Sequence, residues 1–283
     1  MLLQGLHEDC NTVVNPQYKE MKDINGESEC SKSERAWNNY IAHTSSIVTD
    51  TFGGQLQSSV RCSRCRTVST AYDVIWDLSL QIQSQDNHSR KEASAVRTKE
   101  KRRNSIGGSS QRSVNSEVST SLYECLDSFS MEEVLNDAEA YYCTKCKIHS
   151  KATKSLRICK FPKVLVIQLK RFSSSRGLYS RQKLGTPIEF PLEGLDLQSY
   201  LSDDHLDVDV PLYDCICVSN HFGSMSGGHY TAYCKVNDSE GNWYNFDDGS
   251  VQKLGNYESK DNISSVIVTE SAYLLFYVAR GTE

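Results

Sequence analysis

The sequence contains no apolar run approaching the roughly 20 residues needed to cross a bilayer, and its start, Met1-Leu2-Leu3-Gln4-Gly5, lacks a basic segment followed by an apolar one. These two absences argue against a membrane span and against a secretory route. Positive charge is not in excess either: 31 Lys and Arg stand against 36 Asp and Glu, and the formal net charge of −5 excludes an overall basic nucleic-acid binder. No internal repeat is found, which excludes a solenoid. Cysteine is plentiful, but its count of 11 is odd and four of the eleven fall in two Cys-x-x-Cys pairs. In a chain that is not secreted, that pattern favours metal ligation and free thiols over a disulfide framework. A hydrophobic fraction of 38% with a mean hydropathy of −0.50 suffices for a core, in one large domain or two small ones.

The segment from Ser84 to Thr120 has almost nothing apolar. It holds eight Lys or Arg against four acids, so it is about +4 and the remainder of the −5 chain about −9. Such a stretch cannot bury enough surface to offset its ordering entropy, and residues 84–120 are expected to be a disordered basic insertion. The acidic remainder suits a basic-faced protein partner. Around the insertion, Ser33-Glu34 is expected to open a helix with Ala36, Trp37, Tyr40 and Ile41 on one face, after a loop over Asn11 to Ser31. Residues Thr51 to Ile82 read as β structure. Ser121-x-x-Glu124 and Ser130-x-x-Glu133 have capping-box spacing and predict two short helices. Strands are expected at Val164–Leu169, Leu212–Val218, Tyr230–Val236, Trp243–Phe246 and Ala272–Val278.

Two constellations carry chemistry. Cys62-Ser-Arg-Cys65 and Cys143-Thr-Lys-Cys146 are two half-sites of a tetrahedral metal centre, since thiolates with two residues between them at a hairpin tip can both reach one Zn²⁺. The gap between the pairs is longer than usual, and removing the insertion shortens it. A four-cysteine site leaves no position open for water, so the metal would be structural. The second constellation is Gly227-Gly228-His229-Tyr230 with Asp247 at the far end of a hairpin. A Gly/Ser-rich loop is expected to deliver His229, the returning strand to bring Asp247 beside it, and the carboxylate to accept the imidazole Nδ1–H and leave Nε2 free as a base. His7, His43, His88, His149 and His205 read as surface or hydrogen-bonded core residues.

The stretch Tyr213 to Asp248 resembles the histidine box of the ubiquitin-specific proteases, the deubiquitinating cysteine peptidases. The resemblance extends to Phe161-Pro162-Lys163-Val-Leu-Val-Ile-Gln-Leu-Lys-Arg-Phe172, to Asp50-Thr-Phe-Gly-Gly-Gln-Leu-Gln-Ser-Ser-Val-Arg-Cys62, to Trp76-Asp77-Leu78-Ser79-Leu80, and to Ala272-Tyr-Leu-Leu-Phe-Tyr277. It implies an α+β papain-like fold over residues 1–283, with fingers and palm present and most of the thumb missing. It also implies thiol-dependent hydrolysis of the peptide or isopeptide bond after ubiquitin's C-terminal glycine. In that reading His229 is base and then acid, Asp247 orients it, and Asp248 is the runner-up for that role. Gln168, Leu169, Lys170, Arg171, Phe172, Gly227, Gly228 and Tyr230 would line the path of the ubiquitin tail, between a Ser173–Lys183 loop and a Ser219–Gly228 loop. The implied partners are ubiquitin and ubiquitinated proteins, with no nucleic acid and no membrane, in the cytoplasm or nucleus.

One element of the family pattern is missing. Its nucleophile lies in a segment like Asn-x-Gly-Asn-x-Cys at a helix N-terminus, and no such string occurs here. The first residues resemble the helix that follows the family's Asp-Ala-Gln-Glu-Phe block, so the chain is expected to start about a hundred residues into the domain. Cys10 is the one N-terminal candidate, but it follows that helix. The alternative to an active deubiquitinase is therefore a catalytically dead ubiquitin-binding fragment or pseudoenzyme.

Overall fold

In a computed structural model, residues 2–14, 16, 24, 26–82, 120–136, 139–174, 181–205, 208–224, 226–236, 241–254 and 260–281 are described. Chain order begins with three helices, α1 (Leu2–Asp9), α2 (Glu29–His43) and α3 (Ile47–Phe52), and then strands β1 (Gly54–Cys62), β2 (Val68–Ile75) and β3 (Leu78–Gln81). After the insertion come β4 (Thr120–Ser121), α4 (Leu122–Ser130), β5 (Glu133–Leu135), β6 (Tyr141–Cys143), β7 (Ile148–Ser150), β8 (Ala152–Lys160), β9 (Val164–Lys170), β10 (Phe172–Ser174), β11 (Arg181–Lys183) and β12 (Ile188–Glu189). The chain closes with β13 (Tyr213–Ser224), β14 (Gly227–Lys235), β15 (Trp243–Asp247), β16 (Ser250–Lys253), α5 (Lys260–Ile267) and β17 (Ala272–Ala279).

Two sheets organise the molecule. A seven-stranded sheet in the order β16-β15-β14-β13-β17-β9-β3 is antiparallel except at β9–β3, and a four-stranded sheet runs β2-β1-β8-β5. Strand β9, Val-Leu-Val-Ile-Gln-Leu-Lys, buries Leu165, Val166, Ile167 and Leu169. That near-continuous apolar run fits a strand flanked on both sides and covered on both faces. Leu122, Cys125 and Leu126 of α4 pack into the same core, together with Leu78, Leu80, Val218, Leu275 and Tyr277. Tyr213 spans it and donates its hydroxyl to the Pro162 carbonyl at 2.6 Å.

Several sequence expectations are revised. Helix α2 begins at Glu29, four residues before Ser33, because Ser28 caps it by accepting the Ser31 N–H. Ser33 is then interior and donates to Gln55 Oε1 at 2.6 Å. The Ser121 capping box forms, with Glu124 reaching back to the Ser121 N–H. The Ser130 box does not: its hydroxyl donates to the Leu126 carbonyl, Met131 turns extended, and residues 133–135 become β5 on the edge of β8. Thr51 and Phe52 end α3 and are not strand. The expected strands are all present, with β13 running on to Ser224 and β14 starting at Gly227. The insertion falls on 84–119, outside the described residues. Thr120 belongs instead to β4, buried and paired with Ile188. Among the described residues no helix is long and apolar enough to cross a membrane.

Candidate active site and metal centre

His229 lies on β14, two residues after its start, and not on a loop. Strands β14 and β15 pair with Ala232 opposite Phe246, and continuing that register by one step sets Asp247 opposite Thr231. His229 and Thr231 share a face by the two-residue period of a strand. The carboxylate thus meets the imidazole at 2.5 Å, from Asp247 Oδ1 to His229 Nε2. The nitrogen facing the acid is Nε2, so Nδ1 is the one left open, the reverse of the sequence expectation. Both side chains are about half exposed, at 48% and 46%. The hydrogen bond to Asp247 raises the His229 pKa, with further help from the charges of Asp247 and Asp248. Asp248 stands in an Asp-Gly turn into β16 at φ 47°, a left-handed backbone that Asp tolerates better than most residues. Its carboxylate is within 4.8 Å of the other two groups.

The approach to this pair is shaped by the hairpin between β13 and β14. Gly223 has φ 111° at its tip. A Cβ on Gly228 would come within 2.2 Å of the Phe222 carbonyl oxygen and 2.5 Å of His221 Nε2, so only glycine fits there. His221 was not singled out by sequence, although it lies eight residues before His229 in the same block. It is buried, with its ring 4.7 Å from Tyr230 and 5.2 Å from Phe172, and Lys183 donates to its carbonyl. Burial, reinforced by the Lys183 charge, lowers its pKa, so His221 is held neutral while His229 is drawn toward the charged form.

The other sequence candidates divide into two groups. Phe172 and Tyr230 gather around Tyr273, Gly227 and Gly228 open β14 just before His229, and Tyr230 is 54% exposed. Gln168 accepts from Ser79 at 2.9 Å and donates to the Tyr273 hydroxyl at 2.7 Å, and Lys170 is exposed at the end of β9. Leu169 and Arg171, by contrast, are fully buried. Leu169 is core, and Arg171 donates to the carbonyls of Ala272, Leu184 and Thr186, tying β17 to the segment before β12. Neither side chain is open to a ligand. The Ser219–Gly228 stretch is mostly strand, and Ser173 and Ser174 pair with Gln182 and Arg181. Residues 175–180 lie outside the described set.

At the end of the four-stranded sheet where β1 finishes and β8 begins, Cys62, Cys65, Cys143 and Cys146 bring their sulfurs within 4.8 Å of one another. The two half-sites are built alike. Arg66 and Lys147, each just after the second cysteine, take φ of 63° and 57°, and their N–H groups close on the carbonyls of Cys62 and Cys143 at 2.9 and 2.8 Å. Each turn folds back so that both of its sulfurs face inward, and the Ser63 N–H donates to the Lys151 carbonyl, which ties the first turn to the chain entering β8. The Ser150 hydroxyl and then the Cys65 N–H lower the Cys62 thiol pKa. Four converging thiols with backbone donors aimed at sulfur fit a soft, closed tetrahedral cation site. Cys10 is exposed just past the C-terminal end of α1, where its N–H closes on the Leu6 carbonyl. Among the described residues no cysteine thiol lies within hydrogen-bonding distance of His229.

With this geometry established, comparison with known proteins gives consistent matches. The profile of the ubiquitin carboxyl-terminal hydrolase family matches residues 1–277. Ubiquitin carboxyl-terminal hydrolase 2 of Gallus gallus is 36% identical over 276 residues, 98% of this chain and 65% of that protein. Its Homo sapiens counterpart is 33% identical over 276 residues, again 98% of this chain but 38% of that protein. The chain therefore spans under two thirds of the length of these relatives. Among solved structures, a yeast SAGA DUB module superposes with a TM-score of 0.60 at 34% identity, over 84% of this chain and 43% of that one. The SAGA Ubp8/Sgf11/Sus1/Sgf73 DUB module bound to ubiquitin aldehyde gives 0.59 at 31% identity, over 88% of this chain and 48% of that one. This chain belongs to the ubiquitin carboxyl-terminal hydrolase family.

Proposed function

We propose that this chain is the base-bearing and metal-bearing part of a thiol-dependent deubiquitinase, which cleaves the peptide or isopeptide bond after the C-terminal glycine of ubiquitin. The observation that carries this reading is the His229–Asp247 contact, formed on adjacent strands of a chain whose family performs that reaction. The thiol would come from a cysteine box of the family type, outside this sequence. Its sulfur attacks the carbonyl carbon of the terminal glycine. His229 takes the thiol proton and passes it to the departing lysine amine, and then activates water to release ubiquitin. Asp247 holds the ring in place and stabilises the imidazolium. Asp248, beside the pair, adds negative charge and is the second candidate for orienting it.

Gln168, Lys170, Phe172, Gly227, Gly228 and Tyr230 are the side chains and backbone proposed to meet the ubiquitin tail, with Leu169 and Arg171 as the scaffold beneath them. Gly228 allows a backbone to approach where a Cβ would already clash. Cys62, Cys65, Cys143 and Cys146 would hold one structural Zn²⁺, which ties the β1–β2 and β6–β7 tips into one unit and takes no part in the reaction. The acidic remainder of the chain suits ubiquitin and ubiquitinated proteins, in the cytoplasm or nucleus.

A second reading is a ubiquitin-binding protein without activity. It is favoured by the half-exposed His229 and by the lack of a thiol near it among the described residues. One experiment separates the two. The chain is extended with a segment carrying the family's cysteine box, and hydrolysis of a fluorogenic ubiquitin conjugate is measured. Turnover that is lost in His229→Ala and reduced by orders of magnitude in Asp247→Asn supports the enzyme. Ubiquitin binding without turnover supports the second reading.

A further inference from the structure

Cys217 and Cys234 face each other across β13 and β14 in direct register, and their sulfurs are 2.9 Å apart. A bulge creates this pairing. The register of β13 against β17 shifts between Cys215 and Cys217, so Cys215 points into the core while Cys217 turns to the other face. There it lies in a row with Phe276 on one side and with Cys234 and Tyr244 on the other. Both sulfurs belong to partly exposed residues, within reach of a small oxidant. Directly opposed residues of an antiparallel pair have Cβ atoms close to the spacing of a disulfide, and closing from the observed contact to a bond of about 2.05 Å needs less than an ångström of movement.

We propose that Cys217 and Cys234 are a redox-sensitive pair that forms a reversible cross-strand disulfide on exposure to a peroxide. This inference is independent of the proposed hydrolase activity. Cys234 is the attacking group, because the contact with Cys217 lowers its pKa, while the same contact and burial raise that of Cys217. Its sulfur bonds to one peroxide oxygen as the O–O bond breaks, giving a sulfenic acid, and the departing oxygen leaves as water. The Cys217 sulfur then attacks the Cys234 sulfur. The S–S bond forms, the S–O bond breaks, and the hydroxide takes the Cys217 proton and leaves as a second water. Two thiols are oxidised by two electrons and one peroxide is reduced to two waters. A dithiol reductant reverses it.

The bond would staple β13 to β14, the strand that carries His229 five residues before Cys234. It would limit opening of the hairpin over Gly223–Gly228 without touching the imidazole.

The test uses the full zinc-loaded chain, so that the four clustered cysteines stay ligated. It is treated with hydrogen peroxide, alkylated, and digested with chymotrypsin, because no Lys or Arg separates the two cysteines from each other. The expected product is a cross-linked pair of peptides containing Cys217 and Cys234, lighter by two hydrogens and separated by dithiothreitol. It is absent in Cys217→Ser and in Cys234→Ser and kept in Cys215→Ser. Amide exchange across residues 227–235 should slow several-fold in the oxidised wild type. Full alkylation of both cysteines after peroxide, a cross-link that runs through Cys215, or unchanged exchange would each overturn the proposal. The wild-type measurements decide this even if a variant fails to fold.

Discussion

At the scale of single residues, the two histidines of the site are set in opposite senses by their surroundings. His229 is raised by Asp247 and exposed, and His221 is lowered by burial and by Lys183. Proton NMR should therefore resolve one imidazole titrating above the ordinary value near 6.5 and one below it. Asp247→Asn should bring the upper one back toward the ordinary value and leave the lower one in place. The sign of the linkage follows. Whatever the His229–Asp247 pair adds to stability is fully present below the unfolded pKa and is lost as pH rises through the raised folded value. His221 acts the other way, since the unfolded chain binds its proton more readily: stability is gained as pH rises from the lowered folded value toward the ordinary one, and lost as pH falls through the folded value. Gly228 gives a steric prediction. Gly228→Ala places a methyl against the Phe222 carbonyl and the His221 ring, and should cost about 1–3 kcal/mol in chemical denaturation. A variant as stable as wild type would show that the hairpin can shift and that the close approach is not required.

At the scale of elements, the short hairpins depend on what anchors them. Strands β6 and β7 form three residue pairs in a two-stranded sheet, too little to hold by backbone pairing alone. A metal held by the thiol cluster at their tip would supply the missing constraint. Cys143→Ser should lower metal content well below one ion per chain, measured by elemental analysis. Chelation should speed amide exchange over residues 141–150 while β9 and β17 stay protected. Equal exchange with and without metal would remove the anchoring role. The elements also show what sequence pattern could and could not reveal. Strand β9 was legible because it is apolar almost throughout, and α4 because Ser121 and Glu124 have capping-box spacing. Strand β8, Ala-Thr-Lys-Ser-Leu-Arg-Ile-Cys-Lys, was not, since neither an apolar run nor a clean alternation marks it. It is a strand because β1 and β5 pair with it on both sides. The false helix at Ser130 has the same origin: capping-box spacing is local, and the pairing of β5 with β8 overrides it.

At the scale of the whole molecule, the site was legible where chemistry requires neighbours in sequence and illegible where the fold supplies them. The Cys-x-x-Cys pairs and the hairpin joining His229 to Asp247 are local, and both could be read directly. His221, Lys183 and Tyr273 reach the site from three different strands, and no spacing marks them. Arg171 was read as a tail contact from the resemblance of Leu169-Lys170-Arg171-Phe172 to the family motif, yet folding buries its guanidinium among three carbonyls. The same separation of scales frames the central proposal, that His229 is the base, Asp247 its orienting acid and the four cysteines a metal site, and that the attacking thiol is none of the cysteines of this sequence. The direct measurement is labelling of the purified, zinc-loaded 283-residue chain by a ubiquitin probe with a thiol-reactive C-terminus. The account predicts no covalent adduct from this chain, and an adduct once a segment carrying the family's cysteine box is joined to it. Labelling of the chain alone that disappears in Cys10→Ser would contradict the account and make Cys10 the nucleophile.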